Sequence, residues 1–206
     1  MKEVMRKCPL AIEKPDRFGW TPLEIAAFIG NEKFVELLLV VLEKDQTFNN
    51  AYSKNNEGFL EKDQKFNIAY SKNNEGLSAL HIAAKEGNVK VMKELINKCP
   101  DIYELLDNKG RNALHVAAES GQSAAVNFFL VRPHFNGLIT EQDKEGNTPM
   151  HLAAIQEHFE IATRLLEHDE GVDLNSTNSD GLTTMDNLML LGFWLTVHPF
   201  HPALLN

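Results

Sequence analysis

Gly110-Arg-Asn-Ala-Leu-His-Val-Ala-Ala-Glu-Ser-Gly121 decides how this chain is read, because the pattern returns. Gly76-Leu-Ser-Ala-Leu-His-Ile-Ala-Ala-Lys-Glu-Gly87 begins 34 residues before it, and Gly146-Asn-Thr-Pro-Met-His-Leu-Ala-Ala-Ile-Gln-Glu157 begins 36 after it. Gly19-Trp-Thr-Pro-Leu-Glu-Ile-Ala-Ala-Phe-Ile-Gly30 is a further copy near the start, and Gly181-Leu-Thr-Thr-Met-Asp186 is a degenerate fifth. Self-similarity at a period of about 33 residues marks a stacked array, in which each unit buries its apolar face against its neighbours.

Each complete copy reads as two helices. In the second, Ser78 is placed as an N-cap, the helix runs from Ala79 to about Glu86, and Gly87 ends it. A second helix follows Asn88 with an apolar stripe at Val91, Met92, Leu95 and Ile96, and the fourth copy matches it with Ile161, Ala162, Leu165 and Leu166. That spacing is the buried side of an amphipathic helix. The alanine pairs Ala26-Ala27, Ala83-Ala84, Ala117-Ala118 and Ala153-Ala154 are small enough to let neighbouring first helices approach closely. No alternation of strand length competes, so the expected fold is all-α with short hairpin-like connections. Connectors such as Asp107-Asn-Lys-Gly110 and Asp143-Lys-Glu-Gly146 are polar and end in glycine, as tight turns require.

Thr21-Pro-Leu-Glu-Ile-Ala26, Ala113-Leu-His-Val-Ala-Ala118 and Thr148-Pro-Met-His-Leu-Ala153 resemble the T-P-L-H-x-A core of the ankyrin repeat. The resemblance covers roughly residues 1–188. It implies an ankyrin-repeat solenoid whose connector tips project as hairpin fingers and form, with the exposed side of the first helices, a concave partner-binding face. It also implies a structural task for His81, His115 and His151, which bond to connector backbone and hold the turn. Glu24 replaces that histidine in the first copy, and its connector is expected to be looser. The connector Lys98-Cys-Pro-Asp-Ile-Tyr-Glu-Leu-Leu-Asp-Asn-Lys-Gly110 is similar to those of plant ankyrin-repeat proteins. In that family a cytosolic array precedes a multi-span membrane domain, and members are associated with defence and stress signalling; that domain is absent from this chain.

The array divides as follows: 1–18 is a partial repeat, 19–40 the first full helix pair, 41–75 a duplicated insert, 76–109, 110–145 and 146–180 three repeats, and 181–206 a degenerate repeat with an apolar tail. The insert is a near-exact duplication, Val41 to Gly58 followed by Phe59 to Gly76. It reads either as an enlarged finger or as a surface loop tolerated because lengthening a loop costs little. The tail, Leu188 to Val197 and onward, is too short for a bilayer span. It reads as an improvised cap or as a hydrophobic stub. With both ends poorly capped, hydrogen exchange is expected to be slowest around Ala79–Leu130.

A net charge of −9 excludes the basic face that nucleic acid demands. No secretory signal is read at the N-terminus. Cys8 and Cys99 hold the same repeat position two steps apart, roughly 20 Å at helix-packing distances, beyond the ~7 Å a disulfide tolerates. They are expected to stay reduced in a cytosolic protein, with membrane association entering only through the resemblance. The repeated histidines stand about 10 Å apart and cannot share a metal ion, and His198 and His201 lack a third ligand. No phosphate loop, nucleophile elbow or base-paired cysteine is present. No enzyme, cofactor or metal is expected.

What remains is a monomeric protein-interaction surface. Its candidate contacts are the connector tips Arg17, Phe18, Trp20, Lys109, Arg111, Lys144 and Asn147, and the copy-to-copy variable residues after the alanine pairs: Phe28, Lys85, Glu86, Glu119, Ser120, Ile155 and Gln156. Trp20 reads equally as a residue packed beneath its own connector.

Overall fold

The structure, a computed structural model, describes residues 14–49, 68–168 and 174–190. Cys8 and most of the partial repeat, the greater part of the insert, and the tail with His198 and His201 lie outside the described residues. The chain groups into two compact units, residues 1–108 and 109–206.

The first unit holds α1 (Pro22–Ile29), α2 (Glu32–Asn49), α3 (Ala79–Lys85), α4 (Val89–Lys98) and a 3-10 turn at Pro100–Glu104. The small faces of α1 and α3 lie together, with Ala26, Ala27, Ala83 and Ala84 buried, and α2 packs on α4 behind them. The predicted stripe is buried at Val91, Met92 and Leu95. The second unit repeats the design with α5 (Ala113–Glu119), α6 (Ser123–Leu130), a 3-10 turn at Pro133–Phe135, α7 (Gly137–Thr140), α8 (Pro149–Ile155), α9 (Phe159–Leu166) and α10 (Thr184–Leu190). Here α5 packs on α8, and α8 on α10. Among the described residues there is no strand beyond an isolated antiparallel bridge between Thr177 and Thr183.

Local sequence explains where the first helices start. Thr21, Ser78, Asn112 and Thr148 all stand at N-cap with extended backbone, and each accepts a bond from the amide three residues on, whose side chain returns a bond to the cap amide. Such a reciprocal cap satisfies two of the amides a helix start leaves without partners. The ends are set by a left-handed residue: Gly30, Gly87 and Gly121 have φ of 74°, 69° and 72°. A side chain at Gly30 or Gly121 would also strike Asn88 or His158 of the next copy, at 2.6 Å and 2.7 Å from a Cβ. In the fourth copy Glu157 takes the same left-handed turn at φ 60° without being glycine.

Two expectations need correction. The second helix of the first copy does not stop near residue 40; α2 continues to Asn49, so the insert begins as helix. Its sequence there, Val41-Leu-Glu-Lys-Asp-Gln46, carries no glycine or proline to end it. The longer connectors are also not bare turns. Pro100 and Pro133 each open a 3-10 turn at a position where a proline's missing N–H costs nothing. Phe135 then folds back on Phe128 and Phe129, with ring centroids 6.3 Å and 5.3 Å away.

Candidate partner-binding surface

The fingers are built by one residue type. Asp16, Asn73, Asp143 and Asn178 stand three residues before the glycine of their connectors, and the side-chain oxygen of each accepts two amides across the turn. For Asp143 the donors are Glu145 N at 2.9 Å and Asn147 N at 2.8 Å. Each finger is closed by a backbone bond, such as Asp143 N to Asn147 O at 2.9 Å. Neighbouring fingers within a unit are tied edge to edge: Asn74 N donates to Phe18 O at 3.2 Å, Lys144 N to Lys109 O at 2.9 Å, and Ser179 N to Glu145 O at 2.8 Å. These acceptors were legible as an Asp or Asn ahead of every connector glycine, a recurrence the sequence reading passed over.

The histidines hold the fingers from behind. His115 Nδ1 accepts the Asn112 amide at 3.3 Å, and its Nε2 lies 3.0 Å from the carbonyl of Asn147 in the next connector. A donating amide against Nδ1 and an accepting carbonyl against Nε2 fix the neutral ring with its proton on Nε2. Burial pushes the imidazole pKa down to about 4, outweighing the opposing pull of the Asn147 carbonyl and the Asp143 carboxylate. His151 repeats the arrangement, with Nε2 3.3 Å from Leu182 O and a pKa also lowered by burial. His81 is fully buried, with Nδ1 2.8 Å from the Ser78 hydroxyl.

Glu24 is a correction to the expected loose connector. Its carboxylate is fully buried, accepts the Thr21 amide at 2.6 Å, and lies 3.4 Å from the Ser71 hydroxyl of the following connector. A carboxylate only accepts, so it meets a hydroxyl where the histidines meet a carbonyl. Burial raises its pKa. Asp186 caps Thr183 in the same way, accepting its amide at 2.9 Å.

The candidate contact residues do not share one fate. Exposed are Arg17, Phe18, Phe28, Lys85, Glu86, Lys109, Lys144, Ile155 and Gln156; Glu119, Ser120 and Trp20 are partly covered. Arg111 and Asn147 are buried, which corrects their placement at the tips. Both follow the connector glycine, at the corner where the finger turns into the first helix. Arg111 reaches from that corner to Glu119 at the far end of α5 and pairs with it. In the first copy the same two positions hold Trp20 and Phe28, whose rings meet edge to face at 5.7 Å. One pair of positions therefore staples finger to helix, by an ion pair in one copy and an aromatic contact in another. Asn147 holds the corner with its backbone, as above, and its side chain accepts from Asn178 Nδ2 at 3.0 Å.

No group of three or more His, Cys, Asp or Glu among the described residues is arranged to hold a metal ion. No helix among them is long and apolar enough to cross a membrane. Cys99 is a buried thiol outside any disulfide.

Comparison with known families agrees with this geometry. The model described as "Ankyrin repeats (3 copies)" matches residues 49–138, "Ankyrin repeats (many copies)" matches 134–186, and "Ankyrin repeat" matches 18–42. None of these describes an enzyme. Among characterised proteins, ankyrin repeat and SOCS box protein 3 of Bos taurus and its Homo sapiens counterpart are each 32% identical over 108 residues, 52% of this chain. The match spans only 20% of either relative's length. Both relatives are mammalian, and the resemblance to plant proteins with a membrane domain is not shown by them. Matched in successive models along most of its length, and built in its first four copies from the same capped helix pair, this chain belongs to the ankyrin-repeat family, an all-α solenoid of protein–protein interaction modules.

Proposed function

We propose that this chain is a non-catalytic, cytosolic protein-interaction module that binds its partner through the connector tips and the exposed end of the first helices. The observation that carries the reading is a contrast between positions. Residues that recur from copy to copy are buried: the alanine pairs, the histidines and, after the first copy, the finger Asp and Asn residues. At the first position after the alanine pair the residue differs in every copy, and Phe28, Lys85 and Ile155 there are exposed while Glu119 is partly covered. Where the scaffold is held constant, variation on the surface is free to serve recognition. Cys99, a buried thiol outside any disulfide, suits a reducing compartment.

The test is a comparison of two charge-reversal variants in partner capture. One carries Lys85→Glu, Lys109→Glu and Lys144→Glu on the proposed surface; the other carries Glu94→Lys and Glu160→Lys on the second helices. Loss of captured protein in the first variant alone is the expected result. Loss in the second with retention in the first would place binding on the opposite side and overturn the reading.

A further inference from the structure

Within the first unit, the first copy breaks a rule the other copies keep. At the finger tip before the glycine stand Glu75, Lys109, Glu145 and Asp180, all charged, yet here stands Phe18, 54% exposed. At the two positions after the alanine pair the others carry Lys85-Glu86, Glu119-Ser120 and Ile155-Gln156, whereas the first carries Phe28 and Ile29, 50% and 67% exposed. The fold does not need apolar side chains at both positions, since Lys85-Glu86 and Glu119-Ser120 complete two repeats and the fourth pairs Ile155 with Gln156. Phe28 rests edge-on against the half-buried Trp20, which fixes it at the junction of finger and helix. Rigid exposed aromatics of this kind lose little freedom on binding and are the residues that dominate interface energetics.

Beside Phe18 stands an exposed arginine, Arg17, on a chain of net charge −9. The Arg17 guanidinium stacks over the Phe18 ring, 4.5 Å from its centroid. A guanidinium held over a ring can still offer a pair of N–H donors, which a carboxylate takes in two parallel bonds. No carboxylate among the described residues forms an ion pair with Arg17. The adjacent Asp16 is exposed and its Oδ1 is engaged within the finger, accepting the amides of Phe18 and Trp20 at 2.8 Å and 2.9 Å.

We propose that the first repeat anchors a partner protein segment in which an Asp or Glu side chain pairs with Arg17 while a bulky apolar side chain of the same segment seats on Phe28 and Ile29. This deepens the interaction-module reading and rests on it. A polyanion such as nucleic acid is the wrong occupant, because the rest of the chain repels it, and an apolar contact without an acid leaves Arg17 unused.

The test pans random 12-residue peptides displayed on phage against the full chain, then measures synthesised winners by fluorescence anisotropy. The expected winners place Asp or Glu within a few residues of Leu, Ile, Phe or Trp. Arg17→Glu weakens them at least about tenfold, the scale of a hot-spot truncation, and changing the peptide acid to Lys restores binding to that variant. Phe28→Ser and Ile29→Asp each weaken them similarly; Ile29 is the safeguard, since it is the more exposed and its loss leaves the Trp20 contact intact. Winners without an acid, or indifferent to Arg17→Glu, overturn the proposal, as does panning that enriches nothing. Winners that ignore these variants but are lost with Lys109→Glu or Gln156→Lys overturn the anchor alone and leave the interaction module standing.

Discussion

A buried, neutral histidine makes this fold sensitive to acid. His115 titrates near 4 when folded and near 6.5 when unfolded. Between those values the unfolded chain binds the extra proton, so stability is fully present above about pH 6.5 and falls as pH drops toward 4. The shift corresponds to about 3 kcal/mol from this residue, most of it gone by pH 4.5. Urea titrations at pH 7.5 and 4.5 check it: the loss is expected to be smaller in His115→Gln than in the wild type, and an equal loss in both would remove His115 from the account. Glu24 acts with the opposite sign. Its raised pKa makes its contribution greatest below the ordinary carboxylate value of 4.5, and that contribution is lost as pH rises through the folded value. A second residue-scale consequence lies at Glu157, which holds a left-handed φ of 60° where the other first helices end in glycine. That conformation costs an L-residue roughly 1–2 kcal/mol, partly offset by the greater unfolded-state freedom of glycine. Glu157→Gly is expected to stabilise by about 0.5–1 kcal/mol in urea unfolding, and a lowered midpoint would contradict this.

At the scale of elements, the recurring unit is a helix start and a finger locked to each other. The N-cap, the residue three places on, and the Asp or Asn ahead of the glycine are all short-range devices, so they were readable as motif positions. The histidine's second bond, His115 to Asn147 O, crosses between repeats and entered the reading only through family resemblance. The insert is different. Because its two copies begin almost identically, removing Val41 to Gly58 joins Val40 to Phe59-Leu-Glu-Lys-Asp-Gln64, nearly the sequence that follows Val40 now. The helix therefore keeps its continuation, and the connector between the first two copies becomes shorter. Closing a loop of half the length changes stability by only about 0.6 kcal/mol. The deletion is expected to unfold cooperatively with a melting temperature within a few degrees of the full chain. Loss of a cooperative transition would mean that the duplicated segment has become part of the fold.

Across the whole chain, protection should follow the quality of burial. The copies at Gly76 and Gly110 bury Ala79, Leu80, Ile82, Val91, Met92, Leu114, Val116 and Val126 at no more than 1% exposure. The first copy leaves the residue equivalent to Ile82 and Val116, Ile25, 39% exposed. Native-state hydrogen exchange is expected to be slowest for amides in Ala79–Leu130 and faster in Pro22–Ile29 and Thr184–Leu190; even protection along the chain would contradict this.

The sequence by itself determined the repeat, its helix pairs, their caps and their buried faces, since these arise from contacts a few residues apart and from glycines with positive φ, and each copy checks the others. Tertiary structure decided which of the variable residues reach the surface. Arg111 and Asn147 turn inward while Phe18 and Phe28 stay outside, and nothing in the local pattern separates them. The difference lies in what stands across the corner: Arg111 finds Glu119 and Asn147 finds Asn178, whereas Phe18 lies under the guanidinium of Arg17 and stays exposed. Burial of a polar side chain requires a partner in reach, and that partner is placed by the fold.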